Sequence, residues 1–254
     1  MPENTTPYDI FAKTTGYIAL SPYCHIRQEE EIVVNPRSID FWLRVGALSP
    51  PGIFGQIFRH GVHILEFYHR PPNGQHWMEC LQKQVALQTR ERCRLPRLWV
   101  IAGGKPNRLI TQAELRPMED HLRGFYMGAP LYHAHLIVTS ELPRIRETLL
   151  LRLWSAGKTL KLAQQDLARL PSDSWEWKVV REAAIALQSE KRYAENEEVR
   201  DMIQDYQKLV QNWEQEKIAI GEAIGEARGE ARGEARGEAR GEARGEVKGL
   251  QEAL

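Results

Sequence analysis

The chain has 254 residues, of which 42% are hydrophobic, so it is long enough to bury the core of one large domain or two small ones. Its 34 Lys and Arg residues balance 34 Asp and Glu residues, and a net charge of zero gives no overall signal for a polyanion-binding protein. No apolar run is long enough to span a bilayer and the N-terminus lacks a signal pattern, so we expect a cytoplasmic protein without a membrane partner.

The first 140 residues predict strands with helices between them. Residues 38–45 alternate between apolar and polar side chains, as a half-buried strand does, and residues 61–67 are largely apolar on both faces, as a central strand is. The run Pro71-Pro72-Asn73-Gly74 ends the central strand. The other predicted elements of this part are helices at 8–20 and 75–93 and strands at 30–34, 98–102 and 132–139.

From Pro143 onward the sequence pattern is helical. Pro143 suits the first position of a helix, and Gly157 suits the end of one. Further amphipathic helices are predicted at 160–170, 175–188 and 195–213. We therefore predict an α/β fold with a core at 1–140, a helical subdomain at 141–220 and a tail at 221–254.

The tail repeats Gly-Glu-Ala-Arg, with glycine at every fourth position from Gly221 to Gly249. Its eight glycines oppose a helix by roughly 8 kcal/mol, because each costs about 1 kcal/mol relative to Ala. Glu and Arg stand two apart and so face opposite sides of a helix, where they do not pair. Two interpretations remain open. The tail is a low-complexity segment, helical or disordered, or it is a self-association element that forms a homo-oligomer through its glycine-lined groove.

Two acidic residues interrupt the predicted strands. Asp40 lies within 38–45, and Glu66 lies between Ile64 and Tyr68 on a strand with little other polarity. A carboxylate in such a position costs several kcal/mol unless it is paired, protonated or bound to a metal. Two carboxylates on neighbouring strands suit Mg²⁺, which takes few protein oxygens and keeps several waters. A metal there could activate water and neutralise a phosphate during the cleavage of a nucleic-acid backbone.

Three segments of the chain resemble the PD-(D/E)XK nuclease superfamily. They are the early helix with Tyr8-Asp9-Ile10-Phe11, the strand Ser-Ile-Asp-Phe-Trp-Leu-Arg-Val at 38–45, and His-Ile-Leu-Glu-Phe-Tyr-His-Arg-Pro at 63–71. In particular the chain resembles the Rpn-like recombination-promoting nucleases and transposase relatives, which often end in charged Gly-Glu-rich tails. The resemblance spans about residues 8–215. It implies a restriction-endonuclease-like mixed sheet flanked by helices, and DNA as the partner.

The resemblance also implies roles for single residues. Asp40 and Glu66 would be the metal ligands, and both would be catalytic. The family places a lysine two residues after the second ligand, where this chain has Tyr68. Such a lysine orients the nucleophile or stabilises charge on the phosphate, so its replacement puts the activity of the site in doubt.

Some relatives supply a substitute for this lysine from the following helix. If Trp77, Leu81 and Val85 define the apolar face of that helix, Gln84 lies near the face and Lys83 points well away from it. We therefore predict that Gln84 assists the two carboxylates and that Lys83 is solvated.

The histidines give weaker signals. His60 and His63 fall on opposite faces of a strand, so they are not expected to share a ligand. His133 and His135 share a face at a spacing that zinc can use, but no third ligand is evident and we interpret them as exposed sheet residues.

The sequence leaves two functions open. The first is Mg²⁺-dependent endonuclease activity with Asp40 and Glu66 as metal ligands and Gln84 as an aid to positioning. The second is a catalytically inactive relative that binds nucleic acid or self-assembles through its tail. The paired carboxylates favour the first function, and Tyr68 and the neutral net charge favour the second.

Overall fold

In the computed structural model, the described residues are 7–32, 37–48, 50–119, 121–171, 173–189 and a set of positions between 208 and 236. The chain divides into two units, Met1–Gln204 and Asp205–Leu254. In the second unit, residues 225–234 are helical. The predicted helix at 195–213 lies largely outside the described residues. Within the described residues, no helix is both long and apolar enough to cross a membrane.

The first unit is built on a mixed, seven-stranded sheet, which confirms the predicted α/β class. Its strands are β1 (Cys24–Ile32), β2 (Arg37–Val45), β3 (Gly61–Tyr68), β4 (Arg97–Ala102), β5 (Arg116–Pro117), β6 (Phe125–Met127) and β7 (Ala134–Val138). The strand order is β1-β2-β3-β4-β7-β6-β5. The first three strands form an antiparallel meander, β4 runs parallel to β3 and to β7, and β6 and β5 continue antiparallel.

Helices cover both faces of the sheet. They are α1 (Pro7–Leu20), α2 (Ile53–Ile57), α3 (Gly74–Glu91), α4 (Asn107–Gln112), α5 (Leu149–Leu153), α6 (Gly157–Ala168) and α7 (Trp175–Ser189). On one face, Trp154 packs edge-on to Phe67 with ring centroids 5.4 Å apart, and its indole N–H donates to the hydroxyl of Thr15 in α1 at 2.6 Å.

The opposite face of the sheet carries α3. Successive residues of a strand point to opposite faces, so Ile64 and Glu66 of β3 face α3 while Leu65 and Phe67 face α1. The buried cluster on the α3 side is formed by Ile39, Trp42, Ile64, Trp77, Cys80, Leu87, Leu98, Val100, Ala102, Leu109, Leu115, Tyr126, Ala134, Leu136 and Val138. Helix α3 also makes the connection between the parallel strands β3 and β4, as such a crossover requires.

The start and end of α3 have clear local causes. Asn73 caps its N-terminus by accepting a hydrogen bond from the backbone N–H of His76 at 2.9 Å, and the His76 side chain accepts in return from the backbone N–H of Asn73. Arg92 ends the helix in the left-handed region with a φ of 47°. The prediction of a helix at 75–93 is confirmed to within two residues.

Two predictions at element boundaries are wrong. Strand β1 begins at Cys24, six residues before the predicted start. It pairs with β2 from Cys24, which faces Val45, to Ile32, which faces Arg37. The helical half does not begin at Pro143 but at Leu149, after a 3₁₀ turn at Arg146–Thr148. The Thr148 hydroxyl donates to the carbonyl oxygen of Pro143 at 2.5 Å, which fixes this segment as a turn.

Gly157 does not end a helix but begins α6, with a φ of 58° that favours glycine. Strands β5 and β6 and the short helices α2 and α4 were not predicted. Five tryptophans are buried in the core, namely Trp42, Trp77, Trp99, Trp154 and Trp177.

Candidate functional site

Asp40 and Glu66 meet on neighbouring strands. The last pair of the β2–β3 ladder joins Phe41 to Leu65, and Asp40 and Glu66 are the next residue on each strand. Residues that face each other on antiparallel strands project their side chains from the same face. The Oδ2 atom of Asp40 accepts a hydrogen bond from the backbone N–H of Phe67 at 2.9 Å, which fixes this carboxylate to the end of β3.

Helix α1 contributes a cation to Asp40. The Nζ atom of Lys13 lies 2.6 Å from Oδ1 of Asp40, and both side chains are largely buried. Lys13 is the only charged residue between Ile10 and Leu20. A single charge on an apolar helix requires a partner, so this signal was available in the sequence, although the prediction did not include Lys13.

Glu66 is a buried carboxylate with only one of its two oxygens satisfied. Its side chain is 3% exposed, and Oε2 accepts a hydrogen bond from Lys83 Nζ at 2.7 Å. The other oxygen, Oε1, has no hydrogen-bond partner among the described residues. Burial and then the negative charge of Asp40 raise the pKa of Glu66 to about 7, against the opposing effect of the Lys83 charge. The unpartnered oxygen is a ready acceptor for a proton or a metal ion.

The structure places Lys83 at the site, and the prediction that Lys83 is solvated is wrong. The buried residues of α3 are Trp77, Cys80, Gln84 and Leu87. Lys83 follows Cys80 by three positions and precedes Leu87 by four, so it borders this buried face and reaches Glu66. The prediction assigned the apolar face through Val85, which is 52% exposed and lies away from the sheet.

The ammonium of Lys83 is retained despite its burial. Burial acts to lower the pKa of Lys83, but the charge of Glu66 and the hydrogen bond to it outweigh this effect and raise the pKa above its usual value. Lys83 is therefore a fixed positive charge beside the carboxylate pair.

Gln84 is buried, but its hydrogen bonds go elsewhere. Its amide nitrogen donates to the backbone carbonyls of Pro96 and Tyr132, each at 2.6 Å. These bonds tie α3 to the residue before β4 and to the 3₁₀ turn before β7. The predicted role of Gln84 as an aid to Asp40 and Glu66 stays a prediction, and the side chain that contacts Glu66 is its neighbour Lys83.

Tyr68 stands where the family resemblance implies a lysine. Its hydroxyl shares a hydrogen bond with the thiol of Cys80 at 3.4 Å. Burial raises the pKa of both groups well above their usual values, so both are neutral. Tyr68 supplies no charge, and Lys83 is the cation that contacts Glu66.

The histidines have structural partners rather than a shared ligand. His63 is buried, and its ring nitrogens contact the indole N–H of Trp99 at 3.2 Å and the carbonyl of Arg59 at 2.6 Å. His135 is partly buried and stacks on Trp99 with ring centroids 4.2 Å apart. Burial lowers the pKa of each to about 4. His133 precedes β7 in the left-handed region, so it does not share a strand face with His135 as predicted.

An apolar groove of about 1130 Å³ runs along α3, where Trp77, Leu81 and Val85 contribute to its lining. Lys83 and Gln84 also line the groove, whereas Asp40 and Glu66 do not. The carboxylate pair therefore lies outside this groove, at the end of the strands between α1 and α3.

Within the described part of the chain, no three His, Cys, Asp or Glu side chains are placed to hold one metal ion together. The candidate site has two acidic groups, Asp40 and Glu66. No family model, curated protein or solved structure matches this chain. The relationship to PD-(D/E)XK nucleases therefore stays a prediction that depends on these residues and their arrangement.

Proposed function

We propose that this chain is a Mg²⁺-dependent endonuclease of the PD-(D/E)XK type, related to the Rpn-like group, that hydrolyses DNA phosphodiester bonds at Asp40 and Glu66. The observation that carries the proposal is the buried Oε1 atom of Glu66, which has no hydrogen-bond partner among the described residues. A buried oxygen without a partner costs about 1–3 kcal/mol unless a proton or a cation satisfies it. The position of Asp40 directly across the strand pair supports a cation.

The donor set fits Mg²⁺. Asp40 and Glu66 offer carboxylate oxygens, which are the ligands that Mg²⁺ prefers, and two such residues suffice because the ion keeps several waters. When bound, Mg²⁺ supplies an activated water and neutralises charge on the phosphate. The ion pairs with Lys13 and Lys83 hold both carboxylates in place before substrate arrives.

Lys83 takes the role of the lysine that Tyr68 replaces. An ammonium has three N–H donors, and the hydrogen bond to Glu66 uses one of them. The remaining donors can bind a phosphate oxygen on which negative charge develops during hydrolysis. Gln84 supports this role indirectly, because its bonds to Pro96 and Tyr132 fix the part of α3 from which Lys83 projects.

A second function is favoured by the same ion pairs. Lys13 lies 2.6 Å from Asp40 and Lys83 lies 2.7 Å from Glu66, so the two negative charges are balanced without a metal. In this alternative the chain keeps the fold of a nuclease, and the site is a buried salt-bridge network. The protein would then act by binding nucleic acid or by self-association through its tail.

A DNA-nicking assay separates the two functions. Supercoiled plasmid is incubated with wild type and with Asp40→Asn, Glu66→Gln and Lys83→Met, in Mg²⁺ and in EDTA. We expect Mg²⁺-dependent nicking that falls on the order of 100-fold or more in each variant, the size of effect seen when one charge-stabilising group is removed from an active site.

The matched control for this assay is Glu176→Gln. Glu176 is also a buried carboxylate in an ion pair, with Arg146 at 2.9 Å, but it belongs to α7. The control should nick like wild type. Nicking that persists at the wild-type rate in Asp40→Asn and Glu66→Gln, or none in wild type with either Mg²⁺ or Mn²⁺, would favour the inactive alternative.

A further inference from the structure

Lys13 lies beside Asp40 because of the way α1 packs on the sheet. Its Nζ atom is 2.6 Å from Oδ1 of Asp40. Gly16, a neighbour of Lys13 on the surface of α1, lies so close to the ring of Phe41 that an added Cβ atom would be 3.0 Å from it. Phe41 follows Asp40 directly on β2, so the close packing of α1 at Gly16 places Lys13 at the carboxylate.

Lys13 and Lys83 reach the two carboxylates from different helices, α1 and α3. The Nζ atom of Lys83 lies 2.7 Å from Oε2 of Glu66. The four side chains also act on one another across the two pairs. Burial has the largest effect on the pKa of Glu66 and raises it, and the charges of Asp40, Lys83 and Lys13 all act on it as well. With both carboxylates ionised, the four side chains carry two negative and two positive charges, so the group is neutral.

This neutral group is shielded from water. The side chains of Lys13, Asp40, Lys83 and Glu66 are 21%, 15%, 14% and 3% exposed. Charges interact more strongly in such surroundings than in bulk water, because the effective dielectric constant is lower. With a divalent cation bound to the carboxylates, the group would have two excess positive charges, and both ammonium groups would repel the cation. The lysines therefore oppose the binding of a cation by itself.

A phosphodiester supplies the negative charge that the group then lacks. Each phosphodiester carries one negative charge, and its oxygens accept strong hydrogen bonds from ammonium groups. Lys13 has three N–H donors on a flexible side chain, so it can donate to a phosphate oxygen beside Asp40. A bound phosphate therefore favours the cation, and by thermodynamic linkage the cation favours the phosphate to the same extent.

We propose that Lys13 couples the two ligands of the candidate site, so that a divalent cation and a phosphodiester bind more tightly together than either binds alone. The proposal rests on the proposed function, because it takes Asp40 and Glu66 as the residues that hold the cation. It adds a residue whose charge makes the affinity for the cation depend on the presence of the substrate class.

The direction of one substitution's effect separates this role from a purely structural one. Lys13→Gln keeps a hydrogen-bond donor beside Asp40 but removes the positive charge. If Lys13 opposes the cation, Lys13→Gln binds Mg²⁺ more tightly than wild type. If Lys13 only holds Asp40 in place, the same substitution binds Mg²⁺ more weakly. Lys13→Arg keeps the charge and should behave as wild type does.

The test is isothermal titration of Mg²⁺ into the full chain, while diethyl phosphate is raised stepwise and NaCl is lowered to keep the ionic strength constant. Diethyl phosphate has the single charge of a phosphodiester and no polymer backbone that collects Mg²⁺ by itself. Wild type is compared with Lys13→Gln, Lys13→Arg and the control Lys105→Gln. Lys105 is also paired with a carboxylate, that of Glu141 at 2.9 Å, but it lies outside the candidate site. Circular dichroism and thermal unfolding check that each variant is folded.

We expect diethyl phosphate to tighten Mg²⁺ binding about tenfold in wild type, Lys13→Arg and Lys105→Gln, a usual size for the coupling between two ligands. Without diethyl phosphate, Lys13→Gln should bind Mg²⁺ about tenfold more tightly than wild type, and diethyl phosphate should then add less than about threefold. Mg²⁺ binding by wild type that does not respond to diethyl phosphate, or weaker Mg²⁺ binding by Lys13→Gln, would overturn the coupling and leave the proposed function in place. No Mg²⁺ binding under any condition would overturn both.

Discussion

At the scale of single residues, two opposed effects act on the ionisation of Glu66. Burial and the nearby charge of Asp40 favour its protonated form, while the ammonium of Lys83 at 2.7 Å favours the ionised form. The resulting pKa of about 7 places a change of charge within the physiological range. Its ionisation is therefore coupled both to stability and to the capacity of the site for a cation.

This coupling predicts a pH dependence of stability. A glutamate ordinarily titrates near 4.5, so between pH 4.5 and 7 the folded chain holds a proton that the unfolded chain releases. The contribution of Glu66 to stability is present in full below pH 4.5 and is lost as pH rises through 7. The loss is on the order of 3 kcal/mol. Urea unfolding in EDTA from pH 5 to 8 should show this decline in wild type and not in Glu66→Gln.

The difference in stability between wild type and Glu66→Gln isolates the titration of Glu66 from that of other groups. His63 and His135 act in the opposite sense, because burial lowers their pKa to about 4 and their contribution is lost as pH falls below 6.5. They are present in both proteins and cancel in the difference. Parallel stability profiles for wild type and Glu66→Gln would show that Glu66 keeps an ordinary pKa.

The residues of the site were predictable only in part. Asp40 and Glu66 stand out in the sequence as carboxylates within otherwise apolar strands, and the structure brings them to facing positions. Their partners Lys13 and Lys83 were not predicted, because a lysine on a helix is usually solvated and its reach depends on how the helix is rotated against the sheet.

At the scale of elements, the rotation of α3 decides which side chain reaches the site. Apolar residues lie on more than one side of α3, and the sequence does not show whether the buried face is centred near Leu81 or near Cys80. The structure centres it on Cys80 and Gln84. The hydrogen bonds that the buried Gln84 amide nitrogen donates to the backbone carbonyls of Pro96 and Tyr132 stabilise this rotation.

Substitutions in α3 should therefore separate structure from chemistry. Gln84→Met should lower the free energy of unfolding by about 2 kcal/mol, because it leaves two carbonyls without their donor. Its nicking rate should stay within about fivefold of wild type. Lys83→Met should lose nicking by on the order of 100-fold. Urea unfolding and the plasmid assay measure the two effects.

The matched control in the same helix is Gln82→Met. Gln82 is exposed, so this substitution should change neither the free energy of unfolding nor the nicking rate. The reverse outcome, in which Gln84→Met abolishes nicking in a stable protein and Lys83→Met nicks normally, would restore the role that the sequence suggests for Gln84.

At the scale of the whole molecule, the sequence predicted the α/β class and the strands β2, β3 and β4, because their hydrophobic patterns are long and unbroken. It did not predict β5 or β6, which have only two and three residues, or the strand order. Order and register depend on contacts between distant segments, and these leave no local pattern.

The central claim is that Asp40 and Glu66 together hold a divalent cation. Isothermal titration of Mg²⁺ into the full chain at pH 7.5 tests it most directly, with Asp40→Asn, Glu66→Gln and the control Glu176→Gln measured beside wild type. We predict one Mg²⁺ per chain in wild type and in Glu176→Gln, and at least tenfold weaker binding in each of the other two variants. Equal binding in all four proteins, or none in wild type, would contradict the claim and leave the carboxylates as partners of Lys13 and Lys83 alone.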